Sequence, residues 1–240
     1  MKKTILITGA TGLIGRYISR AIVNRGDEFM ALSTHPGSAV KKLPGAKKIL
    51  GINDIEILVD EKIDAVINLA GANLGAKRWN DTSKKEFYDS RINTTRLLVE
   101  FISKIKEKPE ALISASGVDY YGDTGSKDMY EDSMPAKDFL GTLTHDWELE
   151  ASKAENFGIR AVRVRTGFVL ASDSEAVRKM VLPYRFFVGG PLGSGKQYVS
   201  WIHIDDLVRI YLFAVDNTNV KGAVNAASPC PVTMKEFSSG

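Results

Sequence analysis

Three glycines spaced three apart, Gly9, Gly12 and Gly15 in the stretch TGATGLIG, are the residues best suited to a chemical task. Set between a strand-like apolar run and a helical pattern, they can receive the pyrophosphate of a dinucleotide. The first allows a tight turn, the second lets backbone approach the phosphates, and the third lets the helix pack closely on the strand. Free N–H groups at the helix start supply the attraction. Ala10, Thr11, Leu13 and Ile14 complete this candidate cofactor loop. At the end of the next strand, an acid would accept from a ribose 2′-hydroxyl. Here stand Ser33, Thr34 and His35, and no acid occurs between Glu28 and Asp54. Hydroxyls, an imidazole, nearby Lys41 and Lys42, and Arg16 at the helix start suit a 2′-phosphate, so NADP is expected over NAD.

Other candidates carry less. GPLGSGKQ (190–197) nearly matches a triphosphate-binding loop, but Gln197 replaces the hydroxyl that must hold Mg²⁺. A strand-like segment follows instead of a helix, so an ATPase is rejected. His203, between apolar neighbours in WIHIDD, reads as a core histidine, and no second His or Cys stands at metal-ligand spacing. No metal is expected. Trp79, Trp147 and Trp201 read as core or pocket wall.

These residues need a scaffold, and the pattern supplies one. Strand-like runs TILITGA, EFMALST, DAVINLAG, ALISASG and RAVRVRTGFVL alternate with helical patterns GRYISRAIVNRG, SKKEFYDSRINTTRLLVEFISKIK and THDWELEASKAENFG. Such alternation implies parallel strands with right-handed crossovers: an α/β, Rossmann-like doubly wound sheet. After residue 171 the pattern loosens into a glycine-rich loop. A strand YVSWIHI follows, then a helix capped by Asp205 or Asp206, a strand GAVNAAS, and a capping box from Thr233 to Glu236. The expected division is a dinucleotide-binding domain over 1–170 and a small substrate-side region over 171–240. That last helix breaks off before it could bury a face, so the C-terminal region is expected to be incomplete.

The totals exclude several classes. A chain of 240 residues suits one α/β domain with an appendage, and a net charge of +3 is too small to argue for nucleic acid. KKLPGAKK (41–48), the densest basic cluster, reads as a solvated loop. The single cysteine, Cys230, permits no internal disulfide, and a cytoplasmic setting is the default. No run is long enough to span a membrane, and Ile5 to Ile7 is too short for a signal peptide core. The partners expected are a small-molecule substrate of unnamed class and, as a possible assembly, a homodimer.

Taken together, TGATGLIG, NLAG (68–71), SRINTTRLL (90–98), SASGVDYYG (114–122), RTGFVL (165–170) and WIHIDDL (201–207) resemble the extended short-chain dehydrogenase/reductases. AKRWNDTSKK, DFLGTLTHDWE, GGPLGSGKQYVSWIHIDDL and NAASPCPVTMKEF resemble one atypical branch, the NAD-dependent epimerase/dehydratase-like family, sometimes mislabelled as a SulA-type division inhibitor. The resemblance covers essentially the whole chain. It implies that Leu69, Ala70, Gly71, Gly167 and Val169 lie on the cofactor side and that Lys196 and Gln197 face substrate.

It also implies an Asn, a Ser, a Tyr and a Lys at the reacting centre, and here the chain departs. The tyrosine handles a proton, and the lysine four residues on lowers a phenol pKa that is ordinarily about 10. None of the eight tyrosines is followed by lysine at the fourth position. The helix spacing puts Leu140 at the tyrosine, Thr144 at the lysine and Glu148 at a following glutamate. Arg91 stands for the asparagine, and the serine is retained as Ser116, with Ser114 an alternative. Two residues compete as the proton carrier. His145 lies about 100° around the helix from Thr144. Tyr121, tuned by Arg91, matches the tyrosine of the superfamily's VYG turn and is equally readable as pocket wall. The expected function is an NADP-dependent oxidoreductase or epimerase-like enzyme with Ser116, Tyr121 and Arg91 at its centre. The rival is a non-catalytic NADP(H)-binding sensor.

Overall fold

A computed structural model describes residues 2–186, 189–191 and 193–239. Eleven strands are described: β1 Thr4–Thr8, β2 Glu28–Ser33, β3 Lys48–Gly51, β4 Ala65–Asn68, β5 Ala111–Gly117, β6 Arg160–Thr166, β7 Phe168–Leu170, β8 Tyr198–Val199, β9 Trp201–His203, β10 Gly222–Ala226 and β11 Val232–Thr233. The α-helices are α1 Leu13–Asn24, α2 Pro36–Ala39, α3 Asp81–Lys104, α4 Phe139–Ser152, α5 Glu175–Val181, α6 Ile204–Asp216 and α7 Met234–Phe237.

Seven strands form one sheet in the order β10-β6-β5-β4-β1-β2-β3, every pair parallel. This is the Rossmann-like doubly wound sheet expected, with the strand order reversing between β1 and β4. Ligands bind beyond the carboxyl ends of the strands at such a reversal. Side chains of a strand alternate between faces, so each strand feeds two cores. Ile5, Ile7, Phe29 and Ala31 pack under α1 and α6, with Ile18, Ile22, Leu207 and Tyr211. Leu6, Met30, Leu32 and Val66 pack on the opposite face against Leu98, Phe101 and Ile102 of α3.

Three readings change. The run RAVRVRTGFVL breaks at Gly167 into β6 and β7, which belong to different sheets. A side chain there would sit 2.6 Å from the Ser200 carbonyl, so only glycine lets the two segments approach. The run YVSWIHI breaks likewise, at Ser200, into β8 and β9. The cap of α6 is His203, whose side chain accepts from the Asp205 N–H; half of that side chain is solvent-exposed, so it is no core histidine. The capping box at Thr233 and Glu236 forms as read. Beyond residue 170, β10 pairs with β6 in the main sheet, and α6 supplies buried residues to the first core. Short alternation-poor β3 was not legible; it extends from the basic stretch, and Lys47 and Lys48 both pair with Glu61.

Candidate functional site: a crevice at the strand reversal

The turn after β1 has the shape its glycines dictate. Gly9 lies at φ +67, and a side chain on it would meet the Leu69 carbonyl at 2.6 Å. Gly12 N–H donates to the Gly9 carbonyl at 3.0 Å, and a Cβ on Gly15 would strike the backbone of Gly9 and Ala10. Gly12 caps α1 with no side-chain bond and no acid occupies the first turn, so the positive end of the helix meets no carboxylate of its own. A crevice of about 450 Å³ opens there, lined among others by Thr8, Gly9, Thr11, Gly12, Ser33, Thr34, Leu69, Ala70 and Gly71. A cradle that any Cβ would fill, at an uncapped helix N-terminus, fits a pyrophosphate. Ala10 is buried and Leu13 and Ile14 pack on the first core, so these three contribute backbone to the loop.

The β2 end is polar without an acid of its own. Ser33 Oγ accepts from the His35 N–H at 3.1 Å, and Thr34 Oγ1 lies 2.9 Å from His35 Nδ1. Lys41 and Lys42 are exposed on the next turn. Arg16 is directed elsewhere: it donates to the Thr11 carbonyl and pairs with Asp173 at 2.8 Å, bracing the loop. Asp54, remote in sequence, folds back against Gly51, the register partner of Ser33.

On the other side of the reversal, Arg91 of α3 presses against Gly71, where a Cβ would stand 2.9 Å from its Cζ. The guanidinium donates to the Phe87 carbonyl and lies over the Trp147 ring at 5.3 Å. Burial pulls its pKa down to about 10, opposed by the charge of Asp119. The predicted tyrosine and lysine positions hold half-buried Leu140 and buried Thr144, whose hydroxyl donates back to the Leu140 carbonyl.

Ser116 and Tyr121 come together, through two residues the sequence reading did not join. Ser116 Oγ donates to Glu148 Oε1 at 2.6 Å. Arg165 binds the same carboxylate through Nε at 2.8 Å and Nη2 at 2.9 Å, and donates to the Tyr121 oxygen at 2.8 Å. Tyr121 donates to Asn225 Oδ1 at 2.6 Å. The cation beside Tyr121 is therefore Arg165, which also stacks 3.5 Å over Tyr120, and not Arg91 as expected. Burial raises the Tyr121 pKa, and Arg165 and Asn225 only partly offset it. Burial lowers the Arg165 pKa, but Glu148 and Tyr121 outweigh it and leave the guanidinium above its ordinary value. Of the three arginines in the strand RAVRVRT, Arg165 alone is fully buried, and a buried charge demands a partner. His145 lies beside Tyr120, with ring centres 6.0 Å apart.

The remaining predicted residues sit apart from the glycine-loop crevice. Gly167 N–H donates to the Ala226 carbonyl, and Val169 packs on the first core. Lys196 is exposed, and the Gln197 carbonyl accepts from the Met234 N–H, tying this loop to α7. Among the described residues, no cluster of three or more His, Cys, Asp or Glu is placed to hold a metal ion, and no helix is long and apolar enough to cross a membrane.

The sequence pattern of the NAD dependent epimerase/dehydratase family matches residues 5–227. The chain belongs to that family. It is 37% identical over 234 residues to the epimerase family protein YfhF of Bacillus subtilis, covering 97% of this chain and 77% of that protein. It is 41% identical over 231 residues to the epimerase family protein SH2119 of Staphylococcus haemolyticus, covering 95% and 75%. Its fold is similar to the human epimerase family protein SDR39U1 solved with NADPH, at TM-score 0.85 and 35% identity over 98% of this chain and 78% of that one. It is also similar to the nucleoside-diphosphate sugar epimerase of Corynebacterium glutamicum, at TM-score 0.82 and 29% identity over 100% of this chain and 49% of that one. Proteins of this family bind nicotinamide cofactors and act on small molecules.

Proposed function

We propose that this chain binds NADP(H) in preference to NAD(H) and acts as an oxidoreductase or epimerase-like enzyme on a small-molecule substrate, without a Tyr-x-x-x-Lys pair. The observation that carries the reading is the crevice itself. A glycine cradle at an uncapped helix N-terminus continues past Ser33 and Thr34 on one side and reaches Gly71, packed on Arg91, on the other. The NADPH held by SDR39U1 supports the cofactor preference.

The Gly9–Gly15 loop would hold the pyrophosphate, and Ser33, Thr34 and His35, with Lys41 and Lys42, would receive the 2′-phosphate. Bound nicotinamide would supply the hydride chemistry. Ser116, its proton given to Glu148, keeps lone pairs that would accept from a substrate hydroxyl and orient it. Arg91 would hold an anionic substrate oxygen, and Tyr121 would wall the site. Lys196 and Gln197, with the segment from residue 171 that lies outside the main sheet, would form the substrate side.

A second reading, a non-catalytic NADP(H)-binding regulator, is favoured by one feature: the Ser116 and Tyr121 hydroxyl protons are both committed inside the protein. Fluorescence titration should show NADPH binding more tightly than NADH; equal affinities would refute the cofactor preference. NADPH oxidation screened against carbonyl compounds and sugar nucleotides separates the two readings. If Ser116→Ala and Tyr121→Phe leave turnover untouched, these residues have no part in the site.

A further inference from the structure

The residues at the predicted tyrosine and lysine positions cannot handle a proton, and the Tyr121 proton is bound to Asn225. One ionisable side chain beyond the carboxyl end of β5 is not used in this way. Asp119 stands on the one-turn 3-10 helix Val118–Tyr121 that follows β5 directly. Its carboxylate folds back over the strand end, where a Cβ on Gly117 would meet Oδ2 at 2.9 Å. Residue 119 reaches solvent while the surrounding turn partly desolvates its carboxylate, and among the described residues that carboxylate accepts no hydrogen bond from another residue.

We propose that Asp119 carries the mobile proton of this site, exchanging it with a substrate hydroxyl, with Arg91 as the fixed cation nearby. The carboxylate accepts the proton as the substrate O–H bond breaks, and the carboxylic acid returns it to the same oxygen in the reverse direction. Bound nicotinamide would take the electron pair that leaves the carbinol carbon with its hydrogen, so that the carbon would be oxidised and the dinucleotide reduced. This assignment rests on the cofactor reading above.

The surroundings suit such a role. Desolvation raises the Asp119 pKa and the Asp138 carboxylate, at the start of α4, adds to it, while its own N–H and Arg91 of α3 oppose it. A carboxyl whose pKa lies above its ordinary value is better matched to proton exchange than an unperturbed one. Charged or titratable groups packed around this turn also include His145 of α4, beside Tyr120, the Glu148–Arg165 pair behind Tyr121, and Glu131, whose charge acts on Tyr121.

A proton carrier must feel the redox state of the cofactor, because oxidised nicotinamide is cationic and reduced nicotinamide is neutral. The test is the ratio of NADP⁺ to NADPH affinity, measured by titration from about pH 4.5 to about pH 8, above the ordinary aspartate value. Titration of the 2′-phosphate is common to both ligands and cancels in the ratio. In the wild type, the ratio should shift toward NADP⁺ by about fivefold as pH rises, the scale of one unit charge felt through several ångströms of partly hydrated protein. Asp119→Asn should flatten that dependence, and His145→Gln should keep it. A flat wild-type ratio, or a dependence that survives Asp119→Asn or vanishes in His145→Gln, overturns the assignment while the cofactor reading stands. If neither dinucleotide binds, the cofactor reading fails and this assignment falls with it.

Discussion

Replacing Glu148 by glutamine tests whether the buried pair behind the site holds it together. The change keeps size and shape and removes one charge. In the wild type the two carboxylate oxygens accept three bonds, one from Ser116 and two from Arg165. A glutamine offers one acceptor oxygen and turns an NH₂ toward an arginine donor, so at least one bond becomes a donor–donor clash. The Arg165 charge stays in place, with side-chain exposure of 3%, and faces only neutral partners: the glutamine oxygen, the Tyr121 oxygen, the Glu131 carbonyl and the Tyr120 and Tyr121 rings. Breaking one partner of a buried ion pair costs about 3–5 kcal/mol. For a chain of this size that is a fall in Tm of about 10 °C. Urea unfolding and thermal melts of Glu148→Gln, Arg165→Met and the double variant give the values. The double variant should be less destabilised than the sum of the singles by about 2 kcal/mol, because the second change removes the stranded charge. A loss below about 1 kcal/mol for Glu148→Gln, or strict additivity, would refute the reasoning.

Two further outcomes follow from the same geometry. Gly15→Ala should weaken NADPH binding by more than about tenfold while circular dichroism stays unchanged, because its Cβ collides with the Gly9–Ala10 backbone that cradles the phosphates; undiminished binding would contradict the cradle. Tyr121, with its pKa raised by burial, should make the fold alkali-sensitive. The unfolded phenol ionises near pH 10 and the folded one higher, so stability holds below about pH 10 and declines as pH rises through the folded pKa. Tyr121→Phe should shallow that decline in denaturation midpoints, and an identical slope would remove Tyr121 as its source.

The fold and the cofactor loop were readable in the chain because both rest on local, short-range physics. Alternating strand and helix patterns lead to a parallel sheet, and three glycines in a strand–turn–helix setting lead to a phosphate cradle. The broken strands at Gly167 and Ser200 were less readable, since both arise from close approach of segments remote in sequence. The reacting centre divides the same way. That no tyrosine has a lysine four residues on is a property of the sequence, visible by inspection. Which cation stands beside Tyr121 is not, because Arg165, Glu148, Ser116 and Asn225 come from β6, α4, β5 and β10, and parallel pairing alone brings them into one buried network. Asp119 was in plain view within SASGVDYYG, but its relation to Gly117 and Arg91 depends on the turn that folds its carboxylate back over the strand end. The sequence by itself determined the sheet, the cradle and the absence of the usual pair. Tertiary structure decided which polar groups are locked inside and which remain open to a ligand, because burial and partnership are properties of neighbours that the linear chain does not record.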